Sequence, residues 1–198
     1  MKLGLWLGLA LNAAGLVASA PALAHPHVFI DNRVAFNFVD NKVASITVNW
    51  QFDEIFSVEL LTQFDADGDG AFDKLESNAA GEGVLPNLAQ FHYFTYVYLD
   101  GKLLDAVAPI DFVASAKDRV VFFQMKVPLP QPADPYKQAL ALEVNDREYY
   151  VAVELAEKEP VTLENAAGVK CAASIRDDHE NAYFGGFVYP QEIALQCH

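Results

Sequence analysis

Positive charge is scarce in this 198-residue chain. Lys and Arg number 13 against 27 Asp and Glu, for a formal net charge of −14. So acidic a protein repels phosphate backbones, which argues against nucleic acid as a partner. Cysteine is almost absent, with only Cys171 and Cys197, and these lack the tight Cys-x-x-Cys pairing of structural zinc sites. There is no Gly-x-Ser-x-Gly, no His-Glu-x-x-His and no phosphate-binding loop, so no pattern points to catalysis and the chain reads as a non-enzyme. Beyond the first residues, no stretch reaches the roughly 20 apolar residues that a membrane-spanning helix needs.

The apolar stretch that does occur is at the start. Lys2 precedes a run from Leu3 to Val17 broken only by Gly and Asn12, and Ala22-Leu23-Ala24 fits the small-x-small cleavage rule. Residues 1–24 read as a signal peptide cut between Ala24 and His25, and residues 25–198 as a single periplasmic domain without a membrane span. Cleavage removes Lys2 and no acid, taking the charge from −14 to −15. In an exported chain two cysteines read first as one disulfide, worth roughly 3–4 kcal/mol for a loop of this length. The alternative is a metal site from Cys171, His179, Cys197 and His198.

Most of the remaining chain alternates as strands do. Val34, Phe36 and Phe38, a polar Asp40-Asn41 turn, and then Ala44, Ile46, Val48, Trp50 and Phe52 describe a hairpin with one buried face. Asp100-Gly101 predicts a second hairpin between Phe94–Leu99 and Lys102–Val107. Arg119–Val127 reads as a strand. Ala139–Val144 and Tyr149–Leu155 flank Asn145-Asp146 as a third hairpin, and Lys170–Ile175 and Ile193–Cys197 read as short edge strands. Pro128–Pro135 reads as a loop. Two segments look helical. Asp53 to Phe64 carries an apolar stripe of Phe56, Leu60, Leu61 and Phe64. The segment from about Asp73 to Gln90 contains Gly81, Gly83 and Pro86, which predict a weak or broken helix. The expected class is α+β, mostly β: a β-sandwich-like body with an EF-hand-like helix-loop-helix inserted at about 53–90.

Between those helices lies the sharpest pattern in the chain. Asp65, Asp67, Asp69, Gly70, Asp73 and Glu76 fill positions 1, 3, 5, 6, 9 and 12 of a calcium-type EF-hand loop. Calcium is a hard cation that takes 6 to 8 oxygens. The closely spaced carboxylates supply one side, Ala71 offers its backbone carbonyl, Asp73 acts directly or through water, and Glu76 reaches back with both oxygens. Gly70 permits the sharp turn. No second such loop occurs, so the expected ion is a structural staple of weak affinity, about 10⁻⁴ to 10⁻³ M, rather than a cooperative switch.

Cleavage after Ala24 would expose His25-Pro26-His27. A free α-amine and the His25 ring can chelate one metal, with His27 as a further nitrogen. Pro26 lacks an N–H and so prevents coordination through a deprotonated amide there. Imidazole suits nickel, zinc or copper. The competing reading is a solvated tail leading into a strand at Val28. His92 and His179 have no mutual spacing that marks a site and read as structural.

His25-Pro26-His27-Val28-Phe29-Ile30-Asp31, Trp50 to Ser57 leading into Asp65-Ala66-Asp67-Gly68-Asp69-Gly70, Phe91-His92-Tyr93-Phe94-Thr95 before Asp100-Gly101-Lys102, Tyr149-Tyr150-Val151-Ala152 and a cysteine near the end together resemble a bacterial periplasmic family. It is the domain of unknown function numbered 1007, labelled a periplasmic component of an uncharacterised ABC-type transport system. The resemblance spans the mature chain. It implies a Gram-negative periplasmic protein, a genetic setting beside nickel, cobalt or zinc permeases, and a metal role for His25 and His27. Gly81, Gly83, Pro86 and His198 depart from the pattern. The function expected is a calcium-binding accessory of transition-metal transport, working with an inner-membrane metal permease. The alternative is a non-catalytic interaction module that docks on a transporter, with calcium purely structural.

Overall fold

A computed structural model of the chain describes residues 26–198; the signal-peptide reading and His25 lie outside the described residues. The first hairpin forms as its alternation requires. Strands β1 (Val28–Val39) and β2 (Lys42–Phe52) pair antiparallel. Asp40 and Asn41 both take positive φ, 50° and 61°, as a tight two-residue turn between right-twisted strands demands. The same device, Asp100-Gly101 with φ of 51° and 74°, joins β3 (Thr95–Leu99) to a two-residue β4 (Lys102–Leu103), shorter than the alternation predicts. A third such turn, Asp118-Arg119 at 52° and 66°, joins β5 (Ile110–Lys117) to β6 (Val120–Ala133).

Two sheets result. One is ordered β5-β6-β2-β1-β8, with β8 (Val151–Leu155) and then β9 (Val161–Glu164) lying parallel along successive parts of β1. The other is ordered β10-β11-β7-β3-β4, with β7 (Leu140–Val144), β10 (Cys171–Asp177) and β11 (Gln191–Cys197). Trp50, Phe36, Phe38, Ile46 and Met125 of the first sheet and Leu140, Leu142 and Ile193 of the second are fully buried in one shared core. The body is therefore mostly β and sandwich-like, as expected, with two helices attached.

Several segments differ from expectation. Leu140–Val144 and Val151–Leu155 do not form a hairpin; they belong to different sheets. The corner is held by Asp146, 3% exposed, whose carboxylate accepts the N–H groups of Glu148, Tyr150 and Val151. That satisfies donors which would otherwise be orphaned where the chain changes sheet. Pro128, Pro130 and Pro132 lie inside β6 rather than in a loop. β5 pairs no further along β6 than Ile110 opposite Lys126, so beyond that point a missing N–H faces no strand on that side. β11 is an interior strand, flanked by β10 and β7.

The helical insert clips onto the β5–β6 end of the first sheet. Helix α1 (Glu54–Phe64) starts at Asp53, whose carboxylate accepts the Phe56 N–H at 2.9 Å. The buried Ser57 hydroxyl accepts the Val121 N–H at 3.0 Å. In helix α2 (Lys74–Ala89), the buried Ser77 hydroxyl accepts the Ala114 N–H at 2.8 Å. Contrary to the expected break, α2 is continuous. Its glycines serve close packing: a Cβ on Gly81 would meet the Phe112 ring at 2.8 Å, and one on Gly83 the Phe64 ring at 3.0 Å. The propensity cost, about 1 kcal/mol per glycine, is offset by contacts that a side chain would forbid. Among the described residues no helix is long and apolar enough to cross a membrane.

Candidate metal centre

The turn between α1 and α2 is built from carboxylates that accept their own backbone N–H groups. Asp65 takes Gly68 N–H at 2.8 Å and Gly70 N–H at 2.9 Å, one on each oxygen. Asp67 takes Asp69 N–H at 3.1 Å, and Asp69 takes Ala71 N–H at 2.8 Å. Gly68 and Gly70 sit at φ +74° and +83°, the left-handed region that favours glycine. Asp73 is the N-cap of α2, accepting Leu75 and Glu76 N–H. Glu76 completes the reciprocal capping box by accepting Asp73 N–H at 2.9 Å through one oxygen; its other accepts Ala66 N–H at 2.8 Å. The loop is thus wound around its own acids, with Glu76, 8% exposed, fixed on the inner side.

This winding brings oxygens of Asp65, Asp67 and Glu76 within 4.8 Å of one another, an acidic cluster compatible with a metal ion. Asp69, Ala71 and Asp73 lie on the same turn but are not part of that cluster. The electrostatics show the consequence. The Asp69 N–H bonded to Asp67 favours its ionised form, yet partial desolvation and the charges of Asp69, Glu76 and Asp65 together push the Asp67 carboxyl above its ordinary range. Each carboxylate keeps lone pairs free after its backbone bonds, so the donor set fits a hard, oxygen-seeking cation.

Among the described residues the other candidate ligands form no second cluster of three or more ligating side chains; His25 lies outside them. His27 is exposed; its N–H donates to Tyr150 O at 2.8 Å and its ring lies 4.9 Å from the Tyr150 ring. The chain is therefore already anchored one residue before β1. His179 packs edge-on against Tyr189 at 4.4 Å. His92 stacks on Tyr96 at 5.2 Å, and its buried Nδ1 has no hydrogen-bond partner among the described residues. It begins a run of three residues with positive φ, His92, Tyr93 and Phe94 at 53°, 51° and 54°, a costly left-handed turn. Cys171 and Cys197 face each other across β10 and β11 as a disulfide, which removes them as metal ligands and suggests an exported protein.

One site escaped the sequence reading. Glu143, on β7 and 1% exposed, meets Asp178, 4% exposed, beneath the β10–β11 connection. Asn181 Nδ2 bridges them, at 3.1 Å from Glu143 and 3.0 Å from Asp178. Burial drives the Glu143 carboxyl up to about 7, aided by the hydrogen bond to Asp178 and its charge. Asp178 is desolvated too, yet hydrogen bonds from Glu180 N–H, Asn181 and Glu143 hold it below its ordinary value. Of the two, Glu143 is therefore the carboxyl that holds a proton more readily. The only signal in the sequence is an acid within a strand pattern, and Asp178 and Asn181 lie more than thirty residues away.

The family described as Protein of unknown function (DUF1007) matches residues 10–184, and the chain belongs to that family. An uncharacterized protein of Haemophilus influenzae is 26% identical over 202 residues, covering 92% of this chain and 96% of the relative. An uncharacterized 15.5 kDa protein from the trpE 3′ region of Spirochaeta aurantia is 31% identical over 131 residues, 66% of this chain and 93% of the relative.

Proposed function

We propose that this family member is a non-enzymatic, periplasmic calcium-binding protein that serves as an accessory of transition-metal transport. The observation that carries the calcium reading is the convergence of Asp65, Asp67 and Glu76 within 4.8 Å on a loop whose spacing is that of an EF-hand. Asp65, Asp67, Asp69, the Ala71 carbonyl, Asp73 and Glu76 would hold the ion. Calcium would neutralise the mutual repulsion of the acids and fasten α1 to α2. Because the loop is unpaired, the ion acts as a staple.

The transport role rests on the family resemblance and on the predicted His25-Pro26-His27 terminus, which would hold nickel, zinc or copper and pass it to an inner-membrane permease. The test is calorimetric titration of the mature protein with calcium, then with nickel, zinc and copper, beside a His25→Ala/His27→Ala variant. Calcium heat that is abolished by Glu76→Gln, together with transition-metal affinity that is lost in the histidine variant, is the expected result. Absence of calcium heat removes the first half of the proposal. Equal transition-metal affinity in both proteins removes the second.

A docking module is favoured by one separate feature. Ile55 and Leu75, in the first turns of the two helices, are 85% and 77% exposed, two large apolar side chains open to a partner surface. Calcium-dependent retention of a transporter from solubilised membranes, lost in Ile55→Asp/Leu75→Asp and unaffected by the histidine variant, would select that reading.

A further inference from the structure

Glu143 points away from the core. Its strand neighbours Leu142 and Val144 belong to the shared core, and side chains alternate along a strand, so Glu143 stands on the outer face of its sheet. Acids on such a face are mostly exposed, yet this one is 1% exposed. The groups that meet its carboxyl from outside the sheet are Asp178 and Asn181, both in residues 178–190, the connection from β10 to β11. We propose that this connection is a pH-operated strap, closed on the sheet while Glu143 holds its proton and lifted from it when Glu143 ionises.

The strap is bonded mainly to itself. Asp178 N–H donates to Pro190 O at 2.8 Å and closes its base. Further out, Glu180 N–H donates to Asp178 Oδ1 at 2.8 Å, and Tyr183 and Val188 exchange N–H···O bonds at 2.9 and 3.3 Å. The one hydrogen bond among the described residues that joins residues 179–189 to the body is Asn181 Nδ2 to Glu143 Oε1, at 3.1 Å. Ring packing adds Tyr149, 6.1 Å from Tyr183 and 5.3 Å from Phe184. A cleft opens on each side, of about 310 Å³ toward Tyr149 and β8 and about 460 Å³ toward Tyr98 and Ala141. The strap thus meets the sheet along a narrow seam, and Glu143 sits in that seam. A segment held in this way can open locally while the strands that carry it stay folded.

The surroundings of Glu143 decide what ionisation does. Asp178 is held below its ordinary value and is already an anion near neutral pH. On β11, Glu192 stands opposite Glu143, but it is forked by Arg176 at 2.7 and 2.9 Å. On β3, Tyr96 stands opposite and the Tyr98 hydroxyl lies at 3.5 Å. At the corner, Asn145 Nδ2 donates to Glu143 Oε2 at 3.4 Å. Arg147 directs its guanidinium to the Tyr98 hydroxyl at 3.1 Å and to the Tyr96 ring at 4.1 Å, and it forms no ion pair with Glu143. An ionised Glu143 therefore has an anion beside it and no cation paired to it, a state that burial penalises. Water must reach it, and the strap is the cover that can yield. Burial is the first cause that drives the Glu143 carboxyl up to about 7. With its ordinary value of 4.5 restored in the open form, opening is favoured about 300-fold more above pH 7 than below pH 4.5. Opening rises with pH, and acid closes the strap.

The strap is independent of the calcium reading, so it is tested with calcium held constant. The mature protein is followed by NMR at about two pH units below and above 7. Nuclear Overhauser contacts between the Tyr149 and Phe184 rings report closure. Those between Trp50 and Phe94, 5.8 Å apart in the core, report the intact body. The expected result is loss of the first set at high pH with the second unchanged, and recovery on acidification. Glu143→Gln, which keeps the shape and cannot ionise, should retain the Tyr149–Phe184 contacts at both values. His179→Gln removes the strap's own histidine, the residue type that most often titrates near neutral pH, and should respond as the parent does. Tyr149–Phe184 contacts that persist at high pH in the parent would overturn the proposal, whatever the variants do. So would their loss at high pH in Glu143→Gln, or their retention there in His179→Gln. Simultaneous loss of the Trp50–Phe94 contacts would overturn it as well, since the body would then be unfolding rather than the strap moving.

Discussion

The acids of the helical turn and the acids beneath the β10–β11 connection are the same kind of residue placed in opposite circumstances. At the turn, exposed Asp67 and half-buried Asp65 crowd against buried Glu76, and the charges themselves are the problem. At Glu143 and Asp178 the problem is burial, and the remedy is a raised Glu143 carboxyl that gives up its proton late, with Asn181 hydrogen-bonded to both. Crowded surface acids invite an ion from outside, whereas buried acids neutralise one of their number. The first remedy makes stability depend on cation concentration, the second on pH, and each region can be broken without touching the other.

The largest expected effect belongs to the buried pair. In the folded protein Glu143 keeps its proton up to about pH 7, while in the unfolded chain it releases it near its ordinary value of 4.5. Between those values the folded state binds more protons, so stability falls as pH rises. The contribution is fully present below pH 4.5 and gone above 7. The total is about 3 kcal/mol by linkage, at 1.36 kcal/mol per pH unit. Asp178, held below its ordinary value, acts in the opposite sense and only in acid, where its contribution is lost as pH falls. Denaturant unfolding of the parent and of Glu143→Gln across pH 4.5 to 8 should diverge by that amount. Parallel profiles would show that Glu143 ionises as freely as an exposed acid.

Next in size is the surface cluster. With an affinity of about 10⁻⁴ to 10⁻³ M, 10 mM calcium should stabilise the fold by about 1.4–2.7 kcal/mol. That corresponds to a rise in melting temperature of roughly 3–10 °C for a chain of this size. Glu76→Gln should abolish the calcium-dependent increment and leave the pH slope of Glu143 intact. Loss of both together would mean that the two regions are coupled through the body.

These two regions differ as well in how openly the sequence displays them. The turn's acids and glycines lie within twelve consecutive residues, so their spacing alone states the geometry. Asp40-Asn41 and Asp100-Gly101 were legible for the same reason, because a two-residue turn is a local decision. The β1–β2 hairpin was legible because its alternation is strong. β5 was not, since Ala114 is its one buried residue and it carries no apolar rhythm. The continuity of α2 was hidden because Gly81 and Gly83 are explained by Phe112 and Phe64, from outside their own helix. The Asn145-Asp146 corner looked like a hairpin because Asp146 stabilises a turn of either kind, and only the sheet partners decide which. Glu143 was illegible for the most physical of these reasons. It lies on β7, an interior strand flanked by β11 and β3, and Asp178 and Asn181 are delivered to it by the fold from far along the chain.

The smallest effect is also the most discriminating. Asp67 is exposed, and its carboxyl is pushed above its ordinary range chiefly against the pull of the Asp69 N–H, by desolvation and by the charges of Asp69, Glu76 and Asp65. Asp67→Asn removes one of the repelling charges while its side-chain oxygen can still accept the Asp69 N–H. With a chelator present, the variant should therefore melt at or slightly above the parent. With calcium present it should melt below the parent, because the ion has lost a charged ligand. The two melting curves should thus exchange order on adding calcium. A purely structural turn predicts no exchange: the variant would lie on one side of the parent in both conditions. A crossing tied to calcium and absent with sodium at equal ionic strength would separate coordination from simple screening, since screening relieves repulsion in the parent without distinguishing one cation from another.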